Sequence, residues 1–422
     1  MLSYQDALKV ILAVAEPLDP QTVPLDQVLG HCAAKKITAT EQVPPFDNSA
    51  MDGYAVNSTT LTGATKETPV TLKVVGSTMA GDFPEPSDEN APSGAWEIMT
   101  GAPVPPGYDA VIRIEDTTIL ASNDQDRPTE ISLIVEGFPG KNIRRAGTDF
   151  TPGDVLIDKA VRITPGHIMA LAALGQDHIS VTTPPKAAVI STGKELVDDG
   201  GQALRPGQIR NSNAPYLMNS LKTYGIAATN AGTIYDDPAD FEQKIRRLLD
   251  QDVQIILSSG AVSMGRHDFV PDGLRAMGAE ILFHKSAIRP GKPILFARFP
   301  NGTTYFGLPG NPIAAAVGLR FFAYPLIRKL CGLDPEQPTR AILKTDFSKD
   351  SPFRFFQKAV CHHDPSGQLV VEILPGQESF KIKPMLAQNC WAVVGEGDLS
   401  LTAGQPIDIY PLSPGITTGH LS

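Results

Sequence analysis

Strands and helices alternate between residues 186 and 330, and this alternation limits the possible folds more than any other feature of the sequence. The central strand, DVQIILSS (252–259), is a continuous apolar run, which is typical of a strand buried on both faces. Further strands are predicted at 186–192, 226–234 and 280–284, and helices at 213–224, 241–250, 269–277 and 312–330. This pattern predicts a parallel sheet with helices on both faces.

Three glycine-rich loops lie in this region where strands or helices begin or end. They are GAVSMGRHDFV (260–270), SAIRPGKP (286–293) and GLPGNP (307–312). Glycine lets the backbone approach a ligand closely with its N–H groups turned inward. With Arg289, Lys292 and the N-terminus of the last helix, these loops predict an anion-binding site. Ligands of such sheets bind at the carboxyl ends of strands, so the loops with Glu195, Asp236 and residues 259–268 should meet there.

The charge of the chain narrows the choice of ligands. It has 36 basic and 46 acidic residues, a net charge of −10, and no block of like charges. This distribution argues against nucleic acid as a partner, because Lys and Arg would then cluster. An acidic chain that binds an anion needs local cations or a metal ion to offset its own charge.

Five acidic residues lie in predicted loops: Asp52, Asp149, Glu195, Asp236 and Asp268. Around an anion they would repel one another and the ligand. We therefore expect Mg²⁺, which one or two carboxylates and ligand phosphate oxygens hold, with further positive charge from Lys285, Arg289 and Lys292. Alternatively, several of these acids only cap helices, as Asp237 and Asp268 are well placed to do. The residues alone leave both interpretations open.

The other segments predict separate domains around the α/β region. Residues 57 to 150 form a β-rich insert, and the five apolar stretches after Pro335 predict a small β domain. No apolar run approaches the ~18 residues of a membrane span, and the N-terminus has no signal segment, so we expect a cytoplasmic protein without a membrane partner. The four cysteines are scattered and predict neither disulfides nor a zinc site.

Several polar motifs are long enough to identify a family. FDNSAMDGYAV (46–56), taken alone, could be a polar turn, and KNIRRAGTDF (141–150) a surface loop. Together with IMTGAPVPPG, STGKEL, GQIRNSN, SSGAVSMGRHDF, IRPGKP and GLPGNP, however, they follow one known order. In this order the chain resembles the molybdopterin molybdenumtransferase family (MoeA and the gephyrin E domain) over nearly its whole length.

The resemblance implies a multidomain α/β plus β fold with four domains. An elongated helical and mixed domain would comprise residues 1–45 and 151–183, so that the first helix and the helix at 164–175 share it. A β-rich insert would occupy 46–150, a central α/β parallel-sheet molybdopterin-binding domain 184–334, and a C-terminal β-barrel 335–422. The resemblance also implies a homodimer, whose active site combines the α/β domain of one subunit with the Asp52 segment of the other.

The implied reaction inserts molybdate into adenylylated molybdopterin and gives molybdenum cofactor and AMP, with Mg²⁺. The adenylyltransferase and molybdoenzyme maturation proteins would be further partners. The residues that carry the reaction are Asp52, Thr100, Asp149, Glu195, Asp236 and Asp268, of which Glu195 and Asp268 are the metal ligands. The residues that bind the pterin, phosphate or molybdate are Ser259, Gly260, Ser263, Gly265, Lys285, Arg289, Lys292, Pro309, Asn311 and Pro312.

The chain departs from the family pattern at a few positions near this site. Ala261 replaces a common Gly; Arg266, Thr148 and Lys194 replace acids; and Arg289 replaces a Lys. The last of these keeps the charge but adds a planar fork. These changes leave open whether binding is tighter, tungstate is preferred or catalysis is impaired. Two alternative functions are molybdopterin adenylyltransferase, which shares the α/β domain, and a pterin-binding scaffold without turnover.

Overall fold

The computed structural model describes residues 1–84, 94–260 and 269–412. Four predicted positions of the loop after the central strand, Ala261, Ser263, Gly265 and Arg266, lie outside the described residues, and so does Asp268. No helix of the described part is long and apolar enough to cross a membrane.

The first part of the chain is mostly β structure. Its elements are α1 (Tyr4–Ala13), β1 (Pro20–Pro24), β2 (Cys32–Ala33), β3 (Ile37–Thr38), β4 (Asn48–Ser49), β5 (Gly53–Val56), β6 (Val70–Thr78), β7 (Ala95–Ile98), β8 (Ala110–Arg113), β9 (Thr117–Ser122), β10 (Pro128–Leu133), β11 (Ile143–Arg144), β12 (Val155–Ile157), α2 (Pro165–Ala173) and β13 (His178–Thr182). The insert contains a six-stranded sheet in the order β8-β5-β7-β6-β10-β9. Beside it, β1, β13 and β2 form a small sheet and β12 pairs with β3.

The two helices of this part pack into different hydrophobic clusters, and the expectation that they share a domain stays a prediction. α2 contributes Leu171 to a cluster with Val28 and Ile157. α1 instead buries Tyr4 and Ile11 in the core of the α/β region. The tyrosine hydroxyl also donates to the Phe321 carbonyl oxygen at 3.1 Å. The domain boundaries themselves stay predictions.

The α/β region is built on a six-stranded sheet. Its elements are β14 (Ala187–Thr192), β15 (Leu196–Val197), β16 (Ile209–Arg210), α3 (Asn213–Thr223), β17 (Ala228–Ile234), α4 (Pro238–Asp250), β18 (Ile255–Ser259), α5 (Val270–Ala276), β19 (Glu280–His284), β20 (Ile288–Arg289), β21 (Leu295–Arg298), β22 (Thr304–Leu308), α6 (Pro312–Gly318) and α7 (Tyr324–Leu330). A π-helical turn, Leu319–Ala323, joins α6 to α7, so the long helix predicted from Pro312 is confirmed with one irregular turn.

The sheet is mixed rather than purely parallel. Its order is β17-β14-β18-β22-β21-β19; the first four strands pair in parallel, and β21 pairs antiparallel with both of its neighbours. β21 is antiparallel to β22 because the few residues between them can form only a hairpin. Of the parallel strands, β14, β18 and β22 are buried along their whole length, whereas β17 at the edge of the sheet is partly exposed.

The C-terminal part is a closed five-stranded barrel, as expected. Its elements are β23 (Thr339–Leu343), β24 (Phe347–Ser348), β25 (Arg354–His363), β26 (Leu369–Ile373), β27 (Cys390–Val394), β28 (Ser400–Leu401) and β29 (Pro406–Pro411). The ring runs β25-β26-β23-β29-β27 and closes through β27 and β25. β20 of the α/β region adds to the barrel by pairing in parallel with β25. This pairing places the IRPGKP loop against the barrel.

Candidate functional site

The carboxyl ends of the parallel strands bring the predicted glycine loops together. Ser259, the last residue of β18, lies between Ser191 and Leu308 in the sheet register. The next residue, Gly260, donates its N–H to the Leu308 carbonyl at 3.0 Å. Gly310 of the GLPGNP loop packs against it, since a Cβ added there would lie 3.8 Å from the Gly260 Cα. The loop after β18 and the GLPGNP loop therefore begin side by side.

Gly260 occupies a position that a side chain would not fit. Its φ is +92°, and an added Cβ would lie 2.2 Å from the Thr192 carbonyl oxygen. The Thr192 hydroxyl in turn donates to the Ser259 carbonyl at 3.1 Å. The close approach of these two strand ends thus depends on glycine.

Glu195 sits at the same edge, folded over a second glycine. The Gly193 N–H donates to the Ile234 carbonyl at 3.0 Å, which ties the loop to the end of β17. Gly193 has φ +146°, and a Cβ built there would lie 2.6 Å from Glu195 Oε1. The Glu195 side chain is exposed, so its carboxylate is available at the rim of the sheet.

The neighbouring acids after β17 have different roles. Asp237 is the N-cap of α4 and accepts from the N–H groups of Ala239 at 2.8 Å and Asp240 at 3.4 Å. Capping is therefore its role in the structure. Asp236 precedes the cap with a left-handed backbone, φ +58°, and is exposed at the rim with Glu195. Asp268 was also predicted as a possible helix cap, but it lies outside the described residues.

A polar network behind this rim was missed from the sequence. The Asn211 side-chain amide donates to Asp198 at 2.8 Å and to the Ser191 hydroxyl at 2.9 Å. Thr233 donates its hydroxyl to the other oxygen of Asp198 at 2.7 Å. The network joins the segments that follow β15 and β16 to β14 and β17. The motif GQIRNSN contains Asn211, but nothing in its pattern indicated which strands it would link.

The insert carries a second group of predicted residues. The backbone N–H and the hydroxyl of Thr100 both donate to Asp52 Oδ1, each at 2.7 Å, and these bonds lower the pKa of the Asp52 carboxyl. Asp149 is exposed and its N–H donates to the Val43 carbonyl at 2.9 Å. Within the described chain, no hydrogen bond or ion pair joins this group to Glu195 or Asp236.

The predicted cations line a cleft between the α/β region and the barrel. The cleft has a volume of about 990 Å³, and its α/β wall includes Arg289, Lys292, Pro309 and Asn311. Lys285 and Pro312 are not among the described residues that line it. Lys285 adopts φ +105° and uses its backbone to join the N-terminus to the sheet, with its carbonyl accepting from the Leu2 N–H at 3.3 Å.

The GLPGNP loop connects the cleft to the sheet rim. Pro309 and Asn311 face the cleft, whereas Gly310 between them packs against Gly260. The Asn213 side chain donates to the Gly310 carbonyl at 2.8 Å and holds this loop in place. The loop that lines the cleft is therefore in contact with the Gly260 turn at the sheet rim.

A metal site is not formed by the described residues alone. No group of three or more His, Cys, Asp and Glu side chains among them is arranged to hold a metal ion. Asp268, one of the two predicted ligands, lies outside this part of the chain. The Mg²⁺ ligands therefore stay a prediction.

Comparisons with known proteins cover nearly the whole chain. Family profiles described as "MoeA N-terminal region (domain I and II)", "Probable molybdopterin binding domain" and "MoeA C-terminal region (domain IV)" match residues 2–175, 188–329 and 340–412. A molybdopterin molybdenumtransferase of Synechococcus elongatus is 35% identical over 98% of this chain and 100% of the relative. One of Bacillus subtilis is 33% identical over 97% and 93%. The crystal structure of a molybdopterin biosynthesis MoeA protein from Pyrococcus horikoshii superposes with a TM-score of 0.79 at 29% identity, covering 98% and 99%.

Proposed function

The chain belongs to the molybdopterin molybdenumtransferase family, and from this premise we propose that it inserts molybdate into adenylylated molybdopterin, releasing AMP and molybdenum cofactor. The observation that carries the proposal is the cationic cleft of Arg289 and Lys292 beside the glycine turns at the sheet rim. Molybdate is a dianion, and the dithiolene sulfurs that receive it are also negative. The site must offset this charge before the ligands can exchange.

The cleft and the sheet rim bind different parts of the substrates. Arg289 and Lys292 bind molybdate, or a phosphate, in the cleft, with Pro309 and Asn311 shaping its wall. Ser259 and Gly260 present backbone groups to the pterin and phosphate where the strand ends. The GLPGNP loop sets the distance between the two, because it belongs to both.

The exposed acids are chemically suited to bind magnesium. Glu195 has its carboxylate at the rim with no Lys or Arg in ion-pair distance within the described chain, so its charge is free for a cation. Glu195 and Asp268 would hold Mg²⁺, with Asp236 near the reacting groups. Bound there, Mg²⁺ would polarise the adenylyl phosphate. Glu195 itself orients this cation, and the Asn211 network keeps its loop in place.

The insert acids complete the site in a homodimer. Asp52, Thr100 and Asp149 have no hydrogen bond to the sheet rim within the described part of this chain. We propose that the insert of one subunit meets the rim of the other. The Asp52 carboxyl, with its lowered pKa, would then be ionised near the reacting groups at neutral pH. The adenylyltransferase and maturation proteins are proposed partners, and the cytoplasm is the proposed compartment.

Release of AMP from adenylylated molybdopterin, measured with and without molybdate, tests the function. We expect release that requires molybdate and Mg²⁺. Binding without release would instead support the scaffold, and adenylyl transfer from ATP would support the adenylyltransferase. Glu195→Ala and Asp268→Asn should each abolish Mg²⁺-dependent release while far-UV circular dichroism stays unchanged. Normal turnover of either variant would remove that residue from the site.

A further inference from the structure

We propose that Asp350 sets the oxyanion affinity of the cleft by competing with the ligand for Arg289. This inference rests on the proposed function, in which the cleft receives molybdate. Arg289 Nη1 donates to both carboxylate oxygens of Asp350, at 2.7 and 3.0 Å. Both residues line the cleft. An internal carboxylate therefore holds the cation that a tetrahedral dianion would use.

Two contacts keep Arg289 at the cleft wall beside Asp350. Its backbone pairs with Phe355 of β25, which fixes it to the barrel. Its guanidinium also lies over the Phe355 ring, 5.4 Å from the centroid. Arg289 is therefore presented at the cleft wall, where molybdate that binds it competes with the Asp350 carboxylate.

Asp350 is held near Arg289 by its neighbour in the chain. Lys349 is buried, and its ammonium donates to the Phe353 carbonyl at 2.6 Å and to that of Gly395. These bonds anchor the loop that carries Asp350. The Asp350 carboxylate itself is 73% exposed and the Arg289 side chain 56%, so solvent and a ligand reach the ion pair. Exposed pairs of this kind are weak, and a dianion can displace the carboxylate.

The other charges of the cleft do not compete in this way. Lys292 is exposed and lies over the Phe353 ring, 5.6 Å from the centroid, with no carboxylate in ion-pair distance among the described residues. Glu378 also lines the cleft but pairs with Lys381 at 2.7 Å. Among the described charged residues that line the cleft, Asp350 is thus the acid that pairs with a predicted molybdate ligand, Arg289.

Calorimetric titration of the full chain with molybdate tests the proposal. We expect Asp350→Asn to lower the dissociation constant for molybdate by about two- to fivefold, because it removes a weak, exposed competitor. Glu378→Gln is the matched control: it removes the same charge from the cleft wall without touching Arg289, and should change the constant less. In an Arg289→Gln background, Asp350→Asn should bring no gain, because its competitor role needs the guanidinium.

The outcomes separate this inference from the proposed function. If molybdate binds the parent chain and its dissociation constant is unchanged in Asp350→Asn, the inference is overturned. The cleft is then still the molybdate site. An equal gain from Glu378→Gln, or the same gain without Arg289, also overturns it, because the effect would then be general charge. No binding to any variant overturns both the inference and the assignment of molybdate to this cleft.

Discussion

At the scale of single residues, two glycines decide the shape of the site. Gly193 and Gly260 both have positive φ, and a Cβ on either would collide with the backbone or carboxylate beside it. A left-handed backbone with no room for a methyl group requires glycine. Gly193 has the more direct link to function, because the group that a Cβ would meet is the Glu195 carboxylate.

Gly193→Ala should therefore damage activity more than stability. The new Cβ would force the Glu195 carboxylate to move, and a misplaced catalytic group slows turnover on the order of 100-fold. The strained backbone would cost about 1–3 kcal/mol. AMP-release rates and denaturant unfolding would measure the two effects. Gly200→Ala, just after β15, is the control, since nothing lies within 4 Å of its added Cβ. Equal rates for the two variants would contradict this account of Gly193.

At the scale of elements, local patterns located most helices and strands. The helices predicted at 213–224 and 241–250 and the strands β14, β17 and β18 are confirmed, because periodicity and caps are local signals; α4 begins three residues earlier than predicted, at Pro238. The β21–β22 hairpin was missed, although Asn301-Gly302 in its turn is a typical hairpin signal. As a result, the antiparallel edge of the sheet was also missed.

Substitutions of Asp237, which caps α4, and of Asp236, which lies at the sheet rim, should have different effects. Asp237→Ala removes the cap and should cost about 1 kcal/mol of stability with AMP release unchanged. Asp236→Asn keeps a residue that tolerates the left-handed backbone, so stability should stay within about 0.5 kcal/mol while AMP release falls. Thermal unfolding and AMP-release rates measure both. Loss of activity in Asp237→Ala with an intact fold would reverse the assignment.

At the scale of the whole molecule, a buried ion pair joins the long helix to the barrel. Arg320 lies in the π-helical turn, is 2% exposed and binds Glu336 through two bonds of 2.8 Å. Its Nε donates to the Pro411 carbonyl of the barrel at 3.0 Å. The same helix begins at the cleft, so this contact helps hold the cleft walls together.

Glu336→Gln should destabilise the chain strongly. It leaves the Arg320 cation buried without its counter-charge, which costs about 3–5 kcal/mol. Asp408→Asn is the control, because it breaks the exposed 3.3 Å pair with Arg340 and should cost at most about 1 kcal/mol. Midpoints of denaturant unfolding compare the two. Similar midpoints would show that the buried pair contributes no more than a surface pair.

The sequence alone determined most of the elements, the glycine turns and the family, because periodicity, caps and motifs are properties of neighbouring residues. It also placed Arg289 and Lys292 in one loop. Only the tertiary structure decided that Asp350 holds Arg289, that Asn211 links the strand ends and that β27 closes the barrel onto β25. These contacts join residues far apart in the chain, and their partners follow from the packing of whole elements rather than from any local pattern.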